Sequence, residues 1–397
     1  GPHAGGGGAR PQLVVAGCLS QRYPDELAKE MPEVDHFLGS ADMLGLAKVL
    51  DGDAARMGVT SFAGAARPYL YDHDTPRELS GARHTAYVKI AEGCDRPCGF
   101  CIIPKLRGAQ RSRTVYSVVE EVARLVAEHG TREVCLVAQD LTTYGSDLEP
   151  AANLELLLDA LCRIDGLRWI RLHYAYPSAV TDGLVRRIAG EQRVATYLDV
   201  PMQHIDSDVL KRMRRGYGER RVRELVEALR DPAKVGDAHV WLRTTMLVGH
   251  PGETDAAFQR LYDFVEEGEI DHLGVFPWSR EDGTASALLP IRVASRKAEE
   301  RAAALMELQE GIRTRKHAAL VGRTLPVIVD GLSSESELLL DGRHEGQAPG
   351  IDGKVVLTDG TAPIGTIVDA IVTQAGPHDL VASLDREAAE LALTATA

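Results

Sequence analysis

Apolar runs alternate with helical-period stripes through the middle of the chain, which predicts βα units around a parallel sheet. The candidate strands are 86–90, 133–138, 168–173, 195–200, 241–248 and 272–277. Between the first two, Ser117 followed by Glu120 reads as a capping box, and Val118, Val119, Val122, Leu125 and Val126 continue it as one apolar helical stripe. Six such units predict a partial (β/α)6 barrel, an α/β fold whose chemistry gathers at the C-terminal ends of its strands.

The pattern changes on either side of this core. Ahead of it, Leu13 to Ala16 reads as a short strand running through a turn into a helix opened by Asp25-Glu26-Leu27, the end of an α/β unit. Residues 66–84 mix Pro, Gly and charge without period and read as a linker. Beyond the core, a charged amphipathic helix over 296–319 leads to short strands at 325–329, 338–340, 355–358 and 366–372, the pattern of a small antiparallel β-barrel. The expected organisation is a remnant N-terminal α/β domain over 1–65, the linker, the partial barrel over 85–320, the small barrel over 321–386 and a frayed tail over 387–397. The first eight residues, five of them glycine, read as a disordered lead with no part in the core.

Composition narrows the setting. No run of about 18 apolar residues suggests a membrane span. Six cysteines in 397 residues are too sparse for a disulfide scaffold, so a cytoplasmic location is expected. The net charge of −13 argues against general attraction to nucleic acid. Residues 323–386 carry ten acidic side chains against four basic ones, which suits a basic protein partner better than RNA.

The candidate chemistry centres on Cys94, Cys98 and Cys101, which follow the first strand. Thiolates are soft ligands for iron or zinc. Structural zinc and the ordinary [4Fe-4S] cluster both take four protein ligands, so a loop of three leaves one metal position open. The other strand ends are unusually polar: Gln139-Asp140, His173-Tyr174, Gln203-His204, Gly249 to Thr254, and Trp278 to Thr284. Together they would line one cavity mouth. Cys135, in a predicted strand, and Cys162, in a predicted helix, read as core.

The stretch from Ala86 to Cys94, with Cys98, Phe100, Cys101, Pro104, Arg107-Gly108 and Ser112-Arg113, resembles the radical S-adenosylmethionine (SAM) methylthiotransferases. The resemblance implies that the cluster's open iron is chelated by SAM, which a cluster electron splits into methionine and a 5'-deoxyadenosyl radical. By the same resemblance Phe100, Gln139, Tyr174, Gln203 and Arg243 surround SAM, with Gly249 opening a turn that approaches it through the backbone. Lys105, Arg107, Arg111 and Arg113 stand between a solvated face and a role in holding the SAM carboxylate. Where the family usually has Phe and Tyr, this sequence has His250 and Trp278.

Gly17-Cys18-Leu-Ser-Gln-Arg-Tyr23 resembles the third cysteine motif of the family's N-terminal domain, which holds an auxiliary [4Fe-4S] cluster on three cysteines. No other cysteine precedes Cys94, so this chain is expected to carry one cluster where the complete family protein has two. The small barrel resembles the TRAM domain, in the version found in the ribosomal-protein-modifying branch. The implied reaction places a methylthio group on the β-carbon of an aspartate in ribosomal small-subunit protein twelve, with a flavodoxin-like electron donor able to reach cluster potentials of roughly −400 mV. The rival readings are the tRNA-adenosine branch and a fragment that cleaves SAM without completing methylthiolation.

Overall fold

The structure is a computed structural model that describes residues 11–40, 42, 46–51, 69–79, 81–290 and 292–387. The glycine-rich lead and all but Glu387 of the tail lie outside the described residues. The chain forms two compact units: residues 1–71 with 92–96 and 101–111, and the remainder.

In the first unit β1 (Val14–Gly17) pairs in parallel with β2 (His36–Gly39). The segment expected to turn after β1 is helical instead, over Cys18–Arg22, because Gly17 at φ 140° lets the chain pass from strand into helix without a loop. A second helix, Pro24–Glu30, starts with proline at its first turn, where the missing N–H is no loss. The helix Ile103–Arg107 belongs to the same unit, and Gln21 Nε2 donates to Leu106 O at 3.1 Å.

The second unit is built on a six-stranded parallel sheet of β3 (Thr85–Lys89), β4 (Glu133–Val137), β5 (Trp169–Leu172), β6 (Val194–Asp199), β7 (Trp241–Val248) and β8 (His272–Pro277). The strands lie side by side in chain order, every pair parallel, as an open (β/α)6 arrangement requires. All six agree with the apolar runs to within a residue or two. The helix after β3 runs over Val115–His129 and buries Val118, Val122 and Leu125 in the main core. Its cap is Thr114, whose side chain accepts from Ser117 N, and not Ser117 itself. Ser117 Oγ is taken up by the buried Arg113 guanidinium, so the helix begins three residues earlier. Gly130, left-handed at φ 71°, closes the other end by donating to Leu125 and Val126 carbonyls.

Helix Ser295–Ala318 leads to a closed barrel of β9 (Thr324–Leu332), β10 (Leu340–His344), β11 (Val355–Leu357), β12 (Ile367–Ala375) and β13 (Leu380–Ser383). β13 escapes the sequence pattern because it is four residues long and follows Gly376-Pro377. The core of this barrel runs on into the larger sheet: Val327, Val329, Val355, Leu357 and Leu380 cluster with Ala195, Tyr197 and Trp241. The two barrels therefore share apolar burial, each large side chain worth about 1.5–3 kcal/mol when fully covered. No helix among the described residues is long and apolar enough to cross a membrane.

Candidate active site

The cysteine loop leaves β3 at its C-terminal end. Cys94, Cys98 and Cys101 are partly exposed thiols, none of them in a disulfide. In the first unit, Cys94 N donates to Gly108 O at 3.1 Å and Cys94 Sγ accepts from Arg96 N at 3.4 Å. Gly93, at φ 85°, makes this approach possible, since a Cβ there would press on Gly108 O at 2.7 Å. In the second unit, Cys98 Sγ accepts from Arg215 Nη1 at 3.2 Å, and its neighbour Gly99 donates to Met213 O at 2.8 Å. Phe100 packs with Val209, Met213 and Ala257. The aromatic before the third cysteine thus anchors the loop in an apolar cluster.

No group of three or more His, Cys, Asp or Glu side chains among the described residues is gathered as a formed metal site. The case for an iron–sulfur cluster on this loop rests on its donors: three partly exposed thiols outside any disulfide, two with N–H donors on the sulfur, which is the outer-shell support that cluster thiolates use.

The polar strand ends fall into distinct groups. Tyr174, just beyond β5, is left-handed at φ 65° and half exposed. Gln203, beyond β6, is left-handed at φ 70°, with its N–H on Thr245 O and its carbonyl accepting from Leu247 N. Positive φ at two non-glycine residues is the kind of local strain that collects at functional sites. Gln139 stands two residues beyond β4, and Asp140 caps the next turn by accepting from Thr142 N at 2.9 Å.

Arg243 is differently employed. It is the third residue of the long β7, and its Nη1 lies 2.5 Å from Asp352 Oδ1 in the small barrel, with Nε 3.9 Å from Asp199. Its guanidinium is thus already ion-paired within the second unit. Gly249 is needed for packing: at φ 76°, a Cβ there would run into Ala298 Cβ. Its N–H donates to the buried Glu253, which also accepts from His250 N and is ion-paired with Arg301. His250 is buried with Nε2 2.8 Å from Ser286 Oγ, and burial pulls its pKa down to about 4.

Of the cations after the loop, Arg113 is buried on Glu121, Ser117 and Lys89 O. Arg107 makes two 3.0 Å bonds to Glu92, and its Nη2 lies 3.2 Å from Cys18 Sγ, placing the lone early cysteine on a fixed cation within the first unit. Cys135 and Cys162 pack in or against the core, and burial raises both thiols, that of Cys162 to about 11.

Sequence reasoning missed Arg215. Met213-Arg214-Arg215-Gly216-Tyr217 offers no period or spacing that marks a site; in the structure Arg214 is left-handed at φ 56° and Arg215 beside it is buried.

The radical SAM superfamily pattern matches residues 88–265 and the TRAM domain pattern residues 321–384. A ribosomal protein uS12 methylthiotransferase RimO from Sorangium cellulosum is 49% identical over 383 residues, covering 95% of this chain and 77% of its own. The proteins of the same name from Syntrophotalea carbinolica and Geobacter sulfurreducens are 47% and 46% identical, each with 82% of its length covered. Among solved structures, the radical SAM methyltransferase TsrM from Kitasatospora setae aligns with TM-score 0.46 and 14% identity over 67% of this chain and 62% of that one.

Proposed function

Because the chain belongs to the RimO family of ribosomal protein uS12 methylthiotransferases within the radical SAM superfamily, we propose that it places a methylthio group on the β-carbon of an aspartate in that ribosomal protein. The carrying observation is the loop of three partly exposed thiols, none in a disulfide, that follows β3, with Cys94, Cys98 and Cys101 as the ligands of the SAM-cleaving [4Fe-4S] cluster. Bound there, the cluster and SAM supply a 5'-deoxyadenosyl radical able to take hydrogen from an unactivated carbon.

The chain's own residues do the positioning. Phe100 fixes the loop's depth, and the bond from Gly99 N to Met213 O holds its middle. Gln139, Tyr174 and Gln203 stand beyond three successive strands, where polar side chains can meet the adenosine and amino-acid parts of SAM. Arg243, which the resemblance places with them, is ion-paired with Asp352. Gly249 shapes the neighbouring turn. In this reading Cys18, beside Arg107, is a ligand that the chain offers toward an auxiliary cluster.

A basic protein substrate fits the charge of the TRAM barrel. Glu335, Glu337, Asp359, Asp369 and Asp385 are exposed there against Arg323 and Arg386, and complementary charge of this kind raises encounter rates and sets orientation. A flavodoxin-like protein is the proposed electron donor. Anaerobic incubation with SAM, reductant and either uS12 or tRNA tests the reading. A methylthio mass gain on uS12 is expected; methylthioadenosine in tRNA beside unmodified uS12 overturns it.

A further inference from the structure

We propose that Arg215 is a positioning residue for Cys98, holding its sulfur through an N–H···S bond and supplying the positive charge that sets the potential at which the bound cluster accepts its electron. The inference rests on the assignment of Cys94, Cys98 and Cys101 as cluster ligands.

Arg215 is only 6% exposed, and every arm of its guanidinium is engaged. Nη1 reaches Cys98 Sγ at 3.2 Å, Nη2 donates to Pro201 O at 2.7 Å, and Nε donates to Tyr217 Oη at 2.8 Å. The plane lies 4.3 Å from the Tyr176 ring centroid and 5.3 Å from that of Tyr217. Both rings are locked in turn: Tyr176 donates its hydroxyl to Arg215 O, and Tyr217 to Met202 O at 3.1 Å. The fork cannot swing away from the sulfur.

The partners are neutral. No carboxylate among the described residues lies within ion-pair distance of Arg215, and burial raises the Tyr217 hydroxyl, keeping it protonated. A buried cation without an anion is costly, and the Cys98 sulfur is the one partner here that becomes negative on binding iron. A cluster thiolate at Cys98 would complete the charge balance. A cation and an N–H bond on a ligand sulfur both favour the reduced, more negative cluster, which raises its potential. The adjacent bonds Gly99 N to Met213 O at 2.8 Å and Ser286 N to Gly99 O at 2.7 Å keep this stretch of the loop in place without Arg215, so a change at Arg215 alone should leave the loop seated.

The test is an EPR-monitored titration of the anaerobically reconstituted full chain, with dithionite as one-electron donor. Arg215→Gln keeps an N–H donor and removes the charge; it should bind as much iron as the parent and show a lower midpoint potential, which Arg215→Lys should largely restore. A Gln variant with the parent's potential overturns the role given to Arg215. Should the Gln variant load no iron, the Lys variant decides: iron uptake restored by the charge supports the inference, and an equally empty Lys variant refutes it. A parent chain that takes up no cluster overturns the cysteine assignment itself, an outcome distinct from an unmoved potential.

Discussion

Arg343 in β10 donates Nη2 to Glu133 Oε2 at the first position of β4, at 2.8 Å, with both side chains buried. The same guanidinium bonds Asp330 at 2.7 and 2.9 Å, while Arg171 Nε reaches the other oxygen of Glu133 at 2.8 Å. Two arginines on one carboxylate hold the Glu133 pKa down at about 2. Beside this, Asp352 accepts from Tyr197 Oη and Arg243, and His272 Nε2 donates to Gly346 O at 2.7 Å. The TRAM barrel is therefore joined to the larger sheet by a buried polar seam as well as by shared apolar core.

Removing one partner of this seam should cost far more than a surface ion pair. Arg343→Met leaves Glu133 with a single arginine and Asp330 without its guanidinium, and we expect a loss of about 3 kcal/mol or more in denaturant unfolding. Pairing it with Glu133→Gln should recover part of that loss in a double-mutant cycle. Strict additivity of the two would contradict the pairing.

Acid should weaken the fold in two windows. His250 is held neutral by burial, its folded pKa at about 4 against an ordinary 6.5, so the unfolded chain binds the proton first. Its neutral form costs nothing above about pH 6.5, and stability falls as pH drops from there towards 4, by up to about 3 kcal/mol. Glu133 adds a second loss from about pH 4.5 down to 2, because its depressed folded pKa makes the charged form the stabilising one. His250→Phe should flatten the upper window and leave the lower one, as read from melting temperature against pH.

Gly346 abuts the face of Trp241, and a Cβ at that position would fall inside van der Waals contact of the indole. Gly346→Ala should destabilise by about 1–3 kcal/mol through overpacking of the seam. A thermal melt unchanged from the parent would show that Trp241 moves aside freely.

Serine at Cys94, Cys98 or Cys101 should abolish iron uptake and reduce SAM cleavage by more than about 100-fold, beyond what loss of an outer-shell partner costs. Alanine at Cys135 or Cys162 should leave both intact, since these thiols sit in or against the core. Iron analysis and deoxyadenosine release read the two sets apart.

The strands of the large sheet were legible in the sequence because each is an uninterrupted apolar run in a parallel, doubly covered sheet. The cysteine loop stands out in the sequence through the spacing of Cys94, Cys98 and Cys101. The pairing of Arg243 with Asp352 was not legible, because a cation in a strand gives no sign of a partner 109 residues later in the chain. Arg215 was hidden for a related reason: its meaning comes from Cys98, 117 residues away. Ser117 misled as a cap because the capping pattern cannot register that Arg113 takes its hydroxyl.

The most direct measurement is low-temperature EPR of the anaerobically reconstituted, dithionite-reduced chain with and without SAM. A reduced [4Fe-4S] signal that changes on adding SAM, and is lost in Cys98→Ser, is the predicted result. A signal indifferent to SAM, or one that survives the loss of Cys98, would contradict an open iron held by Cys94, Cys98 and Cys101.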